Sequence, residues 1–110
     1  MDYTYFADLF REFDLPGKGI LSRVLRKDDH VNVTAFGFSA GEEISTHSAP
    51  TPAILYFLEG EGEMQLGQDT VEVRAGSFVY MPPALPHGII AKSPLRMLLV
   101  QIKGLPSAKP

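Results

Sequence analysis

Short apolar runs and polar breaks alternate along most of the chain. From residue 18 onward, segments rich in Val, Ile, Leu, Phe and Tyr recur at intervals of about ten residues, with Gly, Pro and Asp between them. This rhythm is typical of many short β-strands. The predicted strands cover residues 20–26, 31–39, 43–47, 53–59, 63–66, 70–74, 78–81, 88–92 and 95–103.

The first residues follow a different period. Charged residues separate four apolar positions at helical spacing, namely Phe6, Leu9, Phe10 and Phe13. Pro16 and Gly17 then end the pattern. We predict one short amphipathic helix whose aromatic side packs against the rest of the protein.

The strands are predicted to pair antiparallel. The segment 67–69 begins with glycine and joins two alternating stretches, which indicates a hairpin turn, because glycine tolerates the positive φ that such turns need. An antiparallel set of this size must protect its edges, either by closing into a barrel or by stacking two sheets as a jelly roll. We predict an all-β domain over 18–104, a helical segment over 1–17 and a flexible tail over 105–110.

Composition narrows the classes of function. The chain has 110 residues, enough for one domain, and its lack of cysteine excludes disulfides, thiolate metal ligands and a cysteine nucleophile. A net charge of −3 without a basic stripe argues against a nucleic-acid partner. No apolar run approaches the roughly 20 residues of a membrane-spanning helix, so we expect no membrane partner and a cytoplasmic location.

Two stretches, 41–62 and 76–87, carry the spacing of a known pair of motifs. Six residues fall on that spacing: Gly41, His47 and Gly60 in the first motif, and Gly76, Pro82 and His87 in the second. The chain therefore resembles the cupin superfamily, in particular its small single-domain barrels of the cupin-2 type. The resemblance implies a jelly-roll barrel, the double-stranded β-helix of that family, here with a short N-terminal helix.

The family's metal site is only half retained. In cupins, two His and a Glu of the first motif and the His of the second hold a metal ion. His47 and His87 keep two of these positions, whereas Ala49 and Ala53 stand in the other two. Two imidazoles alone predict weak binding, because open metal sites usually have at least three side-chain ligands. If a divalent metal such as Fe, Mn, Ni or Zn binds, His47 and His87 are the expected ligands.

A third ligand would have to come from outside the motifs. By residue type, the candidates are His30, Glu42, Glu43, Tyr80 and Gln101. None has motif support, and His30 follows two aspartates at a predicted turn, where a solvated side chain is expected. The Gly and Asn positions of the second motif also differ, being Ala84 and Ala91.

The substitutions also predict a pocket. Strand alternation places Leu55 and Phe57 on the side of Ala53, and Ile89 on the side of His87. The predicted pocket is mostly apolar, with space left by the alanines, and its residues are His47, Ala49, Ala53, Leu55, Phe57, His87 and Ile89. The alternative is a solid interior, in which neighbouring side chains fill that space.

Three functions follow in order of preference. The first is a barrel that binds an unidentified small molecule, with weak or absent metal and no assigned reaction. The second is a metal-dependent oxygenase or isomerase of the same fold, with His47 and His87 as ligands. The third is a sensory or interaction module. The resemblance also implies a homodimer, formed through outer strands.

Overall fold

A computed structural model describes residues 1–104, which form one short 3-10 helix and nine strands. The helix covers Leu9–Glu12. The strands are β1 (Ile20–Lys27), β2 (Val31–Phe38), β3 (Glu43–His47), β4 (Ala53–Glu59), β5 (Glu61–Leu66), β6 (Asp69–Arg74), β7 (Phe78–Met81), β8 (His87–Ala91) and β9 (Leu95–Ile102). The predicted tail, 105–110, lies outside the described residues.

The strands form two antiparallel sheets, which confirms the all-β prediction. One sheet has the order β1-β2-β9-β4-β7, and the other has the order β3-β8-β5-β6. Strand β9 lies between β2 and β4, far from both along the chain, so most of the larger sheet is held by non-local pairing. Along the chain, successive strands pass repeatedly from one sheet to the other, as in a jelly roll.

The predicted hairpin joins β5 and β6. Leu66 pairs with Asp69, so the turn contains only Gly67 and Gln68. Gly67 has a φ of 62°, which a residue with a side chain adopts only at a steric cost. The turn is therefore one residue shorter than the segment 67–69 that marks it in the sequence.

The core lies between the two sheets. Alternate residues of each strand point inward, as the burial of Ala53, Leu55 and Phe57 along β4 illustrates. The buried cluster draws on both sheets and comprises Phe38, Ala53, Leu55, Phe57, Met64, Val73, Val79, Met81, Ile89, Ala91, Leu95 and Met97. The candidate site opens at one end of this cluster.

The N-terminal segment crosses β2, and Phe13 is its one fully buried side chain. A Cβ built on Gly37 would lie 1.8 Å from the carbonyl oxygen of Asp14, so glycine is needed for the chain to approach β2 this closely. The Arg96 guanidinium lies 4.2 Å from the ring centroid of Phe10.

The predicted N-terminal helix is present, but only as the four residues Leu9–Glu12. Its start is capped by Asp8, whose carboxylate accepts the backbone N–H of Phe10 at 3.2 Å. It ends at Phe13, whose backbone is extended. Among residues 1–104, no helix is long and apolar enough to cross a membrane.

Candidate functional site

Two neighbouring strands bring the motif histidines together. His47 ends β3 and His87 begins β8, and the two residues are direct partners in the antiparallel register. An irregularity between Ile44 and His47 interrupts the pairing just before this point. The ring centroids lie 4.3 Å apart, with 57° between the ring planes. The histidines that lie 40 positions apart in sequence thus form one pair.

Each imidazole is oriented by the main chain. Nδ1 of His47 donates to the carbonyl oxygen of Ser45 at 2.9 Å, and Nδ1 of His87 donates to that of Leu85 at 2.8 Å. Because a carbonyl oxygen only accepts, the proton in each bond must lie on Nδ1. In the neutral rings, both Nε2 atoms therefore carry a free lone pair.

The larger cavity beside this pair is predominantly apolar. Its volume is about 110 Å³. Leu55 of β4 and Ile89 of β8 line it, as the predicted pocket requires, together with both histidines. The remaining lining residues are Phe36, Ile44, Met64, Met81, Gly88, Met97 and Leu99. The cavity thus lies between the sheets, in the interior of the fold.

A smaller cavity of about 60 Å³ is also lined by the same two rings. Ala49 and Ala53 line it, so both alanines at the family's ligand positions face the histidines. Thr51 and Gln101 add the polar groups. The two cavities share four residues, namely His47, Met81, His87 and Leu99. The imidazole pair therefore lines both an apolar space and a more polar one.

Two loops meet beside the smaller cavity. The backbone N–H of Ala84 donates to the carbonyl oxygen of Ala49 at 2.7 Å, which ties the loop before β8 to the loop before β4. Ala84 has a φ of 69°, a left-handed conformation that favours glycine. This is the position at which the second cupin motif normally has glycine, the residue that adopts such a conformation without steric cost.

The other predicted site residues are distributed as follows. Phe57 is fully buried in the core and is not among the residues lining either cavity. Of the five candidates for a third ligand, only Gln101 reaches a cavity that the histidines also line. Tyr80 is exposed, since its neighbours in β7, Val79 and Met81, are the residues that point inward. His30, Glu42 and Glu43 line neither cavity.

The donor set fits a divalent metal only in part. The Nε2 lone pairs of His47 and His87 are suitable, because a ligating imidazole usually donates its other N–H to a carbonyl or carboxylate. However, within residues 1–104 no three His, Cys, Asp or Glu side chains come together. Catalytic sites usually require three such ligands, and a carboxylate to offset the charge is also lacking from the two cavities. The residues present do not form a complete metal site.

The methionines are the part of the site that sequence reasoning missed. Met64, Met81 and Met97 all line the larger cavity, and they are all the methionines of the chain except Met1. Strand alternation predicts that these side chains point inward. It does not predict that strands β5, β7 and β9 line the same cavity. Their concentration around one cavity follows from the non-local pairing of β9 with β4.

Comparison with known proteins agrees with this geometry. A family model described as the cupin domain matches residues 36–101, more than half of the chain. The chain belongs to the cupin family. An uncharacterized protein from Methanocaldococcus jannaschii is 45% identical over 47 residues, which are 41% of this chain and 38% of that protein. The chain thus spans well under half the length of that relative.

Solved structures agree over a larger part of this cupin. A conserved protein of unknown function from Streptococcus pyogenes is 31% identical, with a TM-score of 0.84 over 96% of this chain and 93% of that one. A cupin superfamily protein from Desulfitobacterium hafniense is 21% identical, with a TM-score of 0.78 over 83% and 84% of the two chains. The second likeness concerns the fold alone.

Proposed function

We propose that this cupin binds a small, mostly apolar molecule in the cavity beside His47 and His87. The observation that carries the proposal is the position of the imidazole pair. The rings line both a cavity of about 110 Å³ with apolar walls and a smaller one of about 60 Å³ to which Thr51 and Gln101 add polar side chains. A concave apolar space with a few oriented polar groups is the usual form of a ligand site.

Access and adaptability support the same proposal. His47 is exposed and His87 is half-buried, so the pair can be reached from solvent, whereas Leu55 and Met97 behind it are buried. Three methionines in the wall supply unbranched side chains that can adjust to a guest. The two cavities together, about 110 and 60 Å³, correspond to a ligand of about one ring, since an apolar cavity of about 150 Å³ binds benzene.

Methyl NMR tests the proposal directly. With [methyl-13C]methionine, the signals of Met64, Met81 and Met97 report on the larger cavity, and exposed Met1 is an internal control. Titration with benzene, an apolar probe of suitable size, should shift the three cavity signals and leave Met1 in place. If a saturating concentration of benzene shifts none of the three cavity methyl signals, the larger cavity is closed to ligands of this size.

A pair of adjacent variants localises the effect. Leu99 lines both cavities, whereas Leu98 points to the opposite face of β9 and pairs with Tyr56. Leu99→Phe should narrow the space and weaken benzene binding several-fold, and Leu98→Phe should leave it nearly unchanged. Equal effects of the two substitutions would place the probe outside the cavity.

A metal-dependent enzyme is the second candidate, and the observation that favours it is the orientation of the imidazoles. Both Nδ1 atoms are held by carbonyl oxygens, as they are in histidines that ligate metals through Nε2. Element analysis of protein purified without a histidine tag, followed by titration with Fe, Mn, Ni and Zn, tests it. Near-stoichiometric metal that disappears in the His47→Ala, His87→Ala double variant would favour this candidate over the first.

A further inference from the structure

We infer that the ligand is a neutral molecule of about one ring that carries a hydrogen-bond donor, such as a phenol, rather than a carboxylate or a pure hydrocarbon. This inference rests on the proposed function and adds the chemical class of the ligand. It follows from three properties of the cavity walls: the free polar atoms, the absence of charge and the methionines.

The free polar side-chain atoms of the larger cavity are acceptors, because His47 and His87 are the only polar side chains among the described residues that line it. Nδ1–H of each histidine donates its hydrogen bond to a main-chain carbonyl oxygen, so each neutral ring offers only the Nε2 lone pair. A ligand that satisfies acceptors must bring a donor.

With both imidazole rings neutral, the cavity walls carry no formal charge. The described residues lining the two cavities include no Lys, Arg, Asp or Glu. A carboxylate or ammonium group moved into this space would lose its hydration without gaining an ion pair. A carboxylate would also meet the lone pairs of the Nε2 atoms, which repel it. A neutral hydroxyl or N–H group avoids both costs.

The methionines favour an aromatic body for the ligand. Thioether sulfur makes favourable contacts with aromatic rings, and Met64, Met81 and Met97 surround the larger cavity from three different strands. Phe36 adds a ring to the same wall. Because both histidines line this cavity, a substituent on a ring that fills it has the two imidazoles as its polar neighbours. A phenol has the required shape and a single donor.

Three matched probes test the inference by the same methionine NMR titration. Benzene has the ring alone, phenol adds a neutral donor, and benzoate adds a charge. One net hydrogen bond predicts that phenol binds about fivefold to tenfold more tightly than benzene. Benzoate should bind more weakly than either probe.

The His47→Leu, His87→Leu double variant identifies the acceptors. It should keep benzene binding, which also shows that it is folded, and phenol should become the weaker of the two because its hydroxyl is left without a partner. Phenol binding no more tightly than benzene in the natural protein, or benzoate binding best, would overturn this inference while leaving the proposed function intact. Failure of all three probes would overturn the proposed function itself.

Discussion

His47 and His87 are cross-strand partners whose ring centroids lie 4.3 Å apart, and each ring is fixed by a carbonyl oxygen two residues before it in the chain. The pairing of β3 with β8 thus orients both Nε2 atoms without help from any other side chain. The site can therefore be changed at Ala49 and Ala53 without disturbing what holds the imidazoles.

We predict that Ala49→His combined with Ala53→Glu creates a tight metal site. Both alanines line the small cavity beside the histidines, so the double variant would bring three imidazoles and a carboxylate together. Zinc or nickel affinity, measured by calorimetry, should rise about 100-fold or more over the natural protein.

The matched control replaces Ile54 instead of Ala53. Ile54 is the next residue of β4 and points away from the cavity, since it pairs with Tyr80 on the outer face. Ala49→His with Ile54→Glu should gain far less affinity. Equal gains in the two double variants would show that Ala53 does not occupy the ligand position that the motif assigns to it.

Ala84→Gly should stabilise the protein. The left-handed φ of 69° at Ala84 costs a residue with a Cβ roughly 1–2 kcal/mol, whereas glycine loses about 0.5–1 kcal/mol through its greater freedom in the unfolded chain. The difference between these two costs predicts that Ala84→Gly raises the free energy of unfolding by up to about 1 kcal/mol, measured by urea denaturation. Ala75→Gly, at an exposed alanine without a positive φ, should instead be slightly destabilising.

The sequence predicts the strands of this fold better than their arrangement. The bounds of β3, β4 and β7 agree with the predicted ranges, because alternating apolar residues and flanking glycines or prolines act locally. The position of β9 between β2 and β4 is set by contacts between distant segments, which no local pattern encodes. Only the resemblance to cupins supplied the jelly-roll topology.

In the candidate site, too, local patterns predict which residues take part but not how they are arranged. Motif spacing identifies His47 and His87, and strand alternation brings Leu55 and Ile89 to the same cavity. Alternation also predicts that Phe57 points inward, and it does, but depth along the barrel decides which inward residues meet the cavity. The orientation of the imidazoles depends on main-chain hydrogen bonds that become visible only in three dimensions.

Asp28 should make the protein sensitive to acid. The backbone N–H groups of His30 and Val31, at 2.8 and 3.0 Å, and the Arg26 guanidinium hold the pKa of this carboxyl well below its usual range. A carboxyl with a lowered pKa in the folded state stabilises the fold above its unfolded pKa, and this contribution is lost as the pH falls through and below about 4.

Asp28→Asn tests this contribution, because the amide keeps the shape but loses the charge. We expect a lower midpoint of thermal unfolding at pH 7 and a smaller further loss between about pH 5 and pH 2 than in the natural protein. Asp29→Asn is the control, since the adjacent carboxylate is exposed and has no hydrogen bond or ion pair among the described residues. Identical pH profiles for the natural protein and Asp28→Asn would contradict the assignment.

We also propose that a second copy of the chain covers the outer face of β4 and β7, which gives the homodimer that the cupin resemblance implies. Tyr56 pairs with Phe78, and these residues and Tyr80 remain 43%, 63% and 54% exposed at the edge of the larger sheet. The N-terminal segment covers part of β2 but leaves this aromatic row open. Such an exposed apolar patch on an edge strand is a typical contact surface.

Sedimentation velocity with two charge substitutions tests the dimer. The natural protein should sediment with twice the mass of one chain, and Phe78→Glu should shift it to the monomer, because a carboxylate buried at the contact would lack a partner. Val24→Glu is the matched control, since Val24 is 60% exposed on β1, at the opposite edge of the same sheet. A natural protein that sediments as a monomer, or a dimer that Val24→Glu disrupts while Phe78→Glu does not, would place the contact elsewhere or exclude it.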